Sequence, residues 1–281
     1  MNNSLNLSRL FLFSIFCLVE VPLWAGPADW SFLPASTVFK PLIGNPREPI
    51  MGLVGYLDQT RYEGQVASTL EVVRYSPDDD VQFGWGLFAA GYILLDQDGS
   101  TFPMRDGDFY IGTYFSGNFG DFSARLEGLH ESTHLGDSLE GQQQPLFYNQ
   151  YVNYSRENVN GTLSFQPSEF LRIYASAGIW DFPLIIASPD PFFASFGTEL
   201  YTPSWPIDRS SMRGYATAHF EWDGDVGVWD EEFQLGIQWK SFKDGARDIR
   251  MAVLYYTGDS QFGQFYNTPD NHWALATFFD F

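Results

Sequence analysis

The sequence predicts an all-β chain closed into a transmembrane antiparallel β-barrel of about 12 strands, with both termini periplasmic. Three observations lead there. No stretch after residue 25 is apolar for long enough to span a bilayer as a helix. Apolar and polar residues instead alternate in runs of roughly ten, the length a tilted strand needs to cross a bilayer. Aromatic residues make up 18% of the chain and glycines number 26, which suits strands with aromatic ends.

The chain opens with what reads as a signal peptide, residues 1–25. Arg9 supplies the positive start, "LFLFSIFCLVEVPLW" the apolar run, and Leu23-Trp24-Ala25 a cleavage site before Gly26. The run is broken by Glu20 and is too short for a membrane helix. The sole cysteine, Cys17, lies inside it, so the mature chain is expected to have no disulfide, thiolate nucleophile or thiolate zinc site. Residues 26–49, "GPADWSFLPASTVFKPLIGNPREP", do not alternate and are rich in proline. They are expected to form a periplasmic N-terminal arm that plugs or braces the barrel base.

The barrel itself is expected over residues 50–281. In "FLRIYASAGIW", Leu171, Ile173, Ala175, Ala177 and Ile179 oppose Arg172, Tyr174, Ser176 and Gly178. In "EEFQLGIQWK", Phe233, Leu235, Ile237 and Trp239 oppose Glu232, Gln234 and Gln238, and "SMRGYATAHFEW" and "RDIRMAVLYY" repeat the pattern. Strands are expected near 50–59, 66–76, 81–95, 107–117, 119–133, 149–166, 169–181, 191–204, 211–222, 231–242, 247–258 and 271–281. An even count returns the chain to the side where it started. Short connections such as "NF" near 118, "QPS" near 167 and "KDG" near 244 then fall on the periplasmic side. Longer ones, at 96–106, 134–148, 182–190, 223–230 and 259–270, fall outside. The final strand, "HWALATFFDF", ends on an aromatic residue and resembles the assembly signal of outer-membrane barrels. The expected location is the bacterial outer membrane, with lipids and lipopolysaccharide as partners. A formal charge of −20 excludes nucleic acid, whose phosphates would be repelled.

The densest polar stretch is "GLHESTHLGD", residues 128–137. On the fifth strand, Phe122, Ala124, Leu126 and Gly128 mark the apolar face, and a period of two carries His130, Ser132 and His134 onto that same lipid-facing side. Glu131 and Thr133 turn inward with Arg125 and Glu127. Polar groups facing lipid are costly unless paired, and a histidine two residues from a serine can act as its general base. On the sixth strand, Tyr151, Asn153, Ser155 and Glu157 share the outward parity of Val159, Gly161 and Leu163. A hairpin centred near residue 141 places His130 opposite Asn153, and a slip of two would bring Ser155 or Tyr151 there instead. The candidate catalytic residues are therefore Ser132 as nucleophile, His130 as base and Asn153 as the group that orients it.

Two resemblances follow from these residues. Through "TVFKPLIGNPREP", "HESTHLGD" and "VNYSREN", and over most of the mature chain, the sequence resembles the uncharacterised bacterial outer-membrane domain-of-unknown-function family 1207. It departs from that family's pattern at Thr133 and Ser138. The family name implies location and fold but no activity. The constellation also looks like that of outer-membrane phospholipase A, a twelve-stranded barrel with a His-x-Ser pair on one strand and an Asn on the next. That resemblance implies the roles given to His130, Ser132 and Asn153, and also implies a calcium-supported homodimer. Thr133 and His134 stand where an Asn-Gly is expected, which puts the oxyanion end of the site in question. Outer-membrane lipid A deacylases share the His-x-Ser pair with a Glu as orienter, and Glu157 is the outward acid here.

Blander readings remain open. His130 and Ser132 can be an interfacial hydrogen-bonded pair in a non-enzymatic barrel, such as a small channel, an adhesin or a structural protein. His130, His134 and Asp137 suggest a metal only faintly, because strand spacing parts the two rings. "DQDGS", Asp96 to Ser100, faintly suggests a Ca2+ loop. The lumen-facing Arg125, Glu127, Glu131, Arg156, Arg172, Arg213, His219 and Arg250 read as an ion-pair network filling the barrel. Asp78–Asp80 read as a solvated charge run, and a soluble secreted β-protein is the remaining fold alternative.

Overall fold

The computed structural model of the chain describes residues 29–78, 80–136, 155–181, 191–207, 210–224, 226–241 and 248–280. The signal peptide expected over 1–25 lies outside the described residues. The strands are β1 (Asp29–Phe32), β2 (Met51–Tyr56), β3 (Arg61–Ser76), β4 (Val81–Asp96), β5 (Met104–Phe119), β6 (Phe122–Leu135) and β7 (Ser155–Ser168). They continue with β8 (Leu171–Asp181), β9 (Phe192–Tyr201), β10 (Trp205–Ile207), β11 (Ser210–Asp223), β12 (Val228–Ser241), β13 (Asp248–Asp259) and β14 (Pro269–Asp280). Every pairing is antiparallel. The sheet closes on itself because β2 pairs with both β3 and β14 while β3 also pairs with β4. Setting aside the short β1 and β10, the ring holds 12 strands, as the alternation predicts.

Closure leaves each strand one inward and one outward face, and the period of two assigns them. Outward stand exposed apolar side chains such as Val66, Leu87, Leu163, Leu235 and Leu275. Inward lie Glu63, Glu71, Arg125, Glu127, Glu131, Arg172, Glu199, His219 and Arg250, all buried. One end of the barrel carries the tightest connections, the two-residue 120–121 and 169–170. Gly120 there adopts φ 68°, which a residue without Cβ accommodates. The opposite end carries the longest connections, such as those between β6 and β7 and between β13 and β14.

Two short strands depart from the expected layout. β1 lies within the predicted arm and pairs with β3 at Val73–Ser76, a stretch of the β3 edge beyond the reach of the short β2. β10 follows β9 and pairs back onto β11 at Ser210–Met212, so the predicted eighth strand stops at Tyr201.

After β1, the arm does not stay at the base of the barrel. It runs up through the lumen, with Val38, Phe39, Leu42, Ile43 and Glu48 buried. Prolines 34, 41, 46 and 49 keep it from joining the sheet, so its backbone polar groups must find other partners. Lumen side chains supply them. Glu71 accepts from the Val38 N–H at 2.7 Å and Glu199 from the Ile43 N–H at 2.9 Å. Arg172 donates to the Pro41 and Lys40 carbonyls at 2.7 and 2.8 Å, and Tyr92 donates to the Arg47 carbonyl at 2.7 Å. Arg125 grips Glu48 with two parallel bonds of 2.7 and 2.9 Å, the geometry that makes Arg–carboxylate pairs strong. The lumen charges thus form the expected filling network, with the arm as its centre.

From the opposite end, the β13–β14 connection folds inward as a 3-10 turn, Gly263–Phe265, burying Phe262 and Phe265. The N–H of Gly263 donates to Asp108 at 3.1 Å and that of Gln264 to Asp106 at 3.3 Å. The plug and this loop meet at Arg47. Its guanidinium donates to the Gln261 carbonyl and to Asp108, and lies over the rings of Tyr92 and Phe262 at 4.5 and 4.6 Å. The barrel is therefore stoppered from both ends.

Candidate functional site

The polar cluster of the sequence lies on β6 where it approaches the long-loop end. Its facing is as the alternation predicts. Leu126 and Leu163 are exposed on the outer wall, His130 shares their face, and Glu131 and Thr133 are buried in the lumen. β5 flanks the cluster with an apolar surface. Ile111 pairs with His130 and Phe109 with Ser132, and both are exposed, at 63% and 42%. His134 extends the same row and packs its ring 5.9 Å from that of Phe109.

The cross-strand partner differs from the one expected. His130 stands opposite Glu157, and Ser132 opposite Ser155. The expected register assumed a hairpin centred near residue 141, whereas the observed pairs centre further along the chain, between 143 and 144. The displacement moves His130 from the expected level of Asn153 to Glu157, an even number of residues, so every side chain keeps its face. Asn153 itself lies outside the described residues, as does Asp137.

The result is a linear chain of three groups. His130 Nδ1 lies 2.9 Å from Glu157 Oε1, and Ser155 Oγ lies 3.1 Å from His130 Nε2. A carboxylate can only accept, so Nδ1 carries the ring proton of the neutral imidazole and Nε2 is left as acceptor for the Ser155 hydroxyl. This is the order of contacts a hydroxyl nucleophile needs: a base on its oxygen and an acid that fixes the base's tautomer. Ser132 lies beside this chain on the same face, two residues from His130 and directly across from Ser155. The site is open, with the side chains of His130 and Glu157 exposed at 42% and 59%.

The sequence offers Glu157 only through the deacylase resemblance and Ser155 only as a slipped alternative to Asn153. Their shared outward parity was the available signal. Their level against His130 depended on the loop between.

Of the two suggested metal sites, the one with His130 and His134 includes Asp137, which lies outside the described residues. Asp96 of the "DQDGS" turn is held by Arg61 at 3.5 Å and Arg105 at 3.2 Å, and Asp98 pairs with Thr101 across a tight turn. Among the described residues, no three His, Cys, Asp or Glu side chains converge as metal ligands.

A family model described as "Protein of unknown function (DUF1207)" matches residues 28–281. No curated protein matches the chain.

Proposed function

Because the chain is a β-barrel protein that belongs to this family, whose description carries no reaction, we propose its function from its own residues: an outer-membrane lipid ester hydrolase with a Ser–His–Glu site on the lipid-facing wall. The observation that carries this reading is the Ser155–His130–Glu157 chain, at 3.1 and 2.9 Å, on the outer rather than the lumen face. A hydrolase acting on a soluble substrate has no use for an outward site on a barrel. A lipid ester reaches it sideways, and the exposed Phe109 and Ile111 offer its acyl chain an apolar surface beside the serines.

In this mechanism Ser155 Oγ attacks the ester carbonyl and its proton passes to His130 Nε2. Glu157 stabilises the imidazolium that forms. The proton then leaves with the departing alcohol as the C–O bond breaks. Water, deprotonated by the same nitrogen, hydrolyses the acyl-serine and releases the fatty acid. Ser132 is the second serine within the site and the nucleophile expected from the His-x-Ser spacing. The Glu in the orienting position matches the pattern implied by the resemblance to lipid A deacylases more closely than the Asn of outer-membrane phospholipase A. The location follows from the same reading: a closed wall of exposed Leu, Val and Phe side chains is stable in lipid and aggregation-prone in water. The long-loop end and the site then face the outer leaflet, and both termini face the periplasm.

The test is fatty-acid release from phospholipid and from lipid A in detergent, with the wild type, Ser155→Ala and Ser132→Ala compared. Loss in Ser155→Ala with activity kept in Ser132→Ala supports the assignment. The reverse result transfers the nucleophile to Ser132. Full activity in both variants, or none in the wild type on either substrate, ends the hydrolase reading.

A channel is disfavoured by the filled lumen. The arm and the 260–268 connection occupy it from the two ends and meet at Arg47.

A further inference from the structure

The lumen is not filled evenly. Beside the arm, between it and the walls formed by β6–β8 and β11–β12, lies a cavity of about 140 Å³ that reaches Val226 and Tyr266 at the long-loop end. Eight carboxylates line it against three guanidiniums. The guanidiniums are already engaged: Arg125 with Glu48 and Glu127 at 2.7 and 3.0 Å, Arg156 with Glu131 at 3.0 Å, and Arg47 with Asp108 at 3.4 Å. The excess negative charge is concentrated on β11 and β12. There Glu221 stands opposite Asp230, and Glu232 opposite His219. Among the described residues, no Arg or Lys forms an ion pair with Glu221, Asp230 or Glu232.

Several side chains lining the cavity carry buried polar atoms without a hydrogen-bond partner: the amide oxygens of Asn158 and Asn160, Nε2 of His219, Nε1 of Trp180, and guanidinium nitrogens of Arg47 and Arg125. Asn158, 6% exposed on β7, has no donor for its amide oxygen. His219, 2% exposed, bonds Tyr174 through Nδ1 at 3.0 Å while Nε2 has no hydrogen bond, its nearest carboxylate oxygen on Glu221 lying 3.6 Å away. Buried polar atoms are nearly always satisfied in native structures, so the unpartnered amide oxygens of Asn158 and Asn160 in this acidic space point to an occupant that donates hydrogen bonds. The excess of carboxylates over guanidiniums in the lining favours an occupant that carries positive charge. An anion is repelled. A bare metal ion is unsuited, because no three ligand side chains converge among the described residues. A space of about 140 Å³ suits a short-chain molecule.

We propose that this lumen cavity binds a small organic cation, an alkyl amine or diamine, with its ammonium held by Glu221, Asp230 and Glu232 and by the Asn158 amide oxygen. The site is separate from the Ser155–His130–Glu157 chain, which lies on the other face of the wall. Titration of the purified full-length protein in detergent with 1,4-diaminobutane, followed calorimetrically, tests it against 1,4-butanediol, a neutral molecule of similar shape. Saturable binding of the diamine but not the diol is expected. A Glu221→Gln/Glu232→Gln variant that retains the heat-modifiable migration of the folded barrel should bind on the order of tenfold more weakly or worse. Should that variant not fold, Asn158→Leu provides the second test, with weaker diamine binding expected. The proposal is overturned by no saturable diamine binding, by equal binding of the diol, or by unchanged affinity in a folded variant.

Discussion

His130 and Glu157 face each other across the β6–β7 pair, with Nδ1 2.9 Å from Oε1, on the outer wall of a barrel whose lumen is stoppered. The contact turns an exposed imidazole into an oriented one. Without it, either ring nitrogen could hold the proton and the ring could rotate away. With it, Nε2 is presented to Ser155 as an acceptor.

The first prediction tests that orientation. Glu157→Gln keeps the side chain's shape but offers Nδ1 an amide that can either donate or accept, so the imidazole loses its fixed tautomer and its counter-charge. The turnover number for fatty-acid release should fall by roughly 10²–10⁴-fold with little change in KM, as for the orienting acid of serine hydrolases. Activity within about twofold of wild type would show that Glu157 does not orient the base.

How much of this was legible in the sequence divides along physical lines. The period of two settles which face a residue occupies, and so His130, Glu131, Arg125 and Leu126 could all be assigned from spacing alone. Register is a different quantity, set by the turn. The connection between β6 and β7 is long and carries no turn signature, so the level of β7 against β6 was not encoded locally. Its error was an even number of residues, which preserved every facing while exchanging Asn153 for Glu157. The arm was recognisable by its prolines and lack of alternation. Its path was not, because Glu48 finds Arg125 from 77 residues away and nothing periodic links them.

The second prediction concerns that plug. Arg125→Met removes the partner of two buried carboxylates, Glu48 and Glu127, at 2.7 and 3.0 Å. Breaking a buried ion pair from one side costs about 3–5 kcal/mol, because the remaining charge stays desolvated. The urea midpoint of the purified protein should drop accordingly. Arg125→Met combined with Glu48→Met should recover part of the loss, since one stranded carboxylate is then gone. A double variant less stable than the single one would show that Glu48 holds the arm by other means.

The third prediction tests the filled lumen directly. Wild-type protein in planar bilayers should pass no steady current, because the arm and the inward 3-10 turn meet at Arg47. Arg47→Ala removes the shared contact with Asp108, Gln261, Tyr92 and Phe262, and should produce intermittent openings. Stable large conductance in the wild type would contradict the stoppered barrel.

The fourth prediction follows from the outer-membrane reading. Leu235 sits midway along β12, paired with Ala216 and Val253, and is 69% exposed. In water such a side chain tolerates replacement by Arg. In a bilayer, a guanidinium at that depth costs about 2–4 kcal/mol. Leu235→Arg should therefore destabilise the protein folded into phospholipid vesicles by that amount, and equal stability of the two forms in vesicles would argue against a lipid-facing wall.

The last prediction separates two glycines that look alike in sequence. Gly86 of β4 faces the lumen, and a Cβ built on it would lie 2.3 Å from the Leu70 carbonyl oxygen and 2.5 Å from the Tyr114 ring. Tyr114 is 2% exposed and packed against the wall, so neither neighbour can retreat. Gly86→Ala should cost about 1–3 kcal/mol, the usual range for overpacking, and lower the temperature at which the barrel loses its heat-modifiable migration. Gly64 of β3 meets nothing within 4 Å, so Gly64→Ala has room for its methyl. Strand propensity also favours Ala over Gly there, and its midpoint should stay within about 0.5 kcal/mol of wild type or rise. Equal effects at the two positions would mean that Tyr114 does not press against the β4 backbone as its ring position requires.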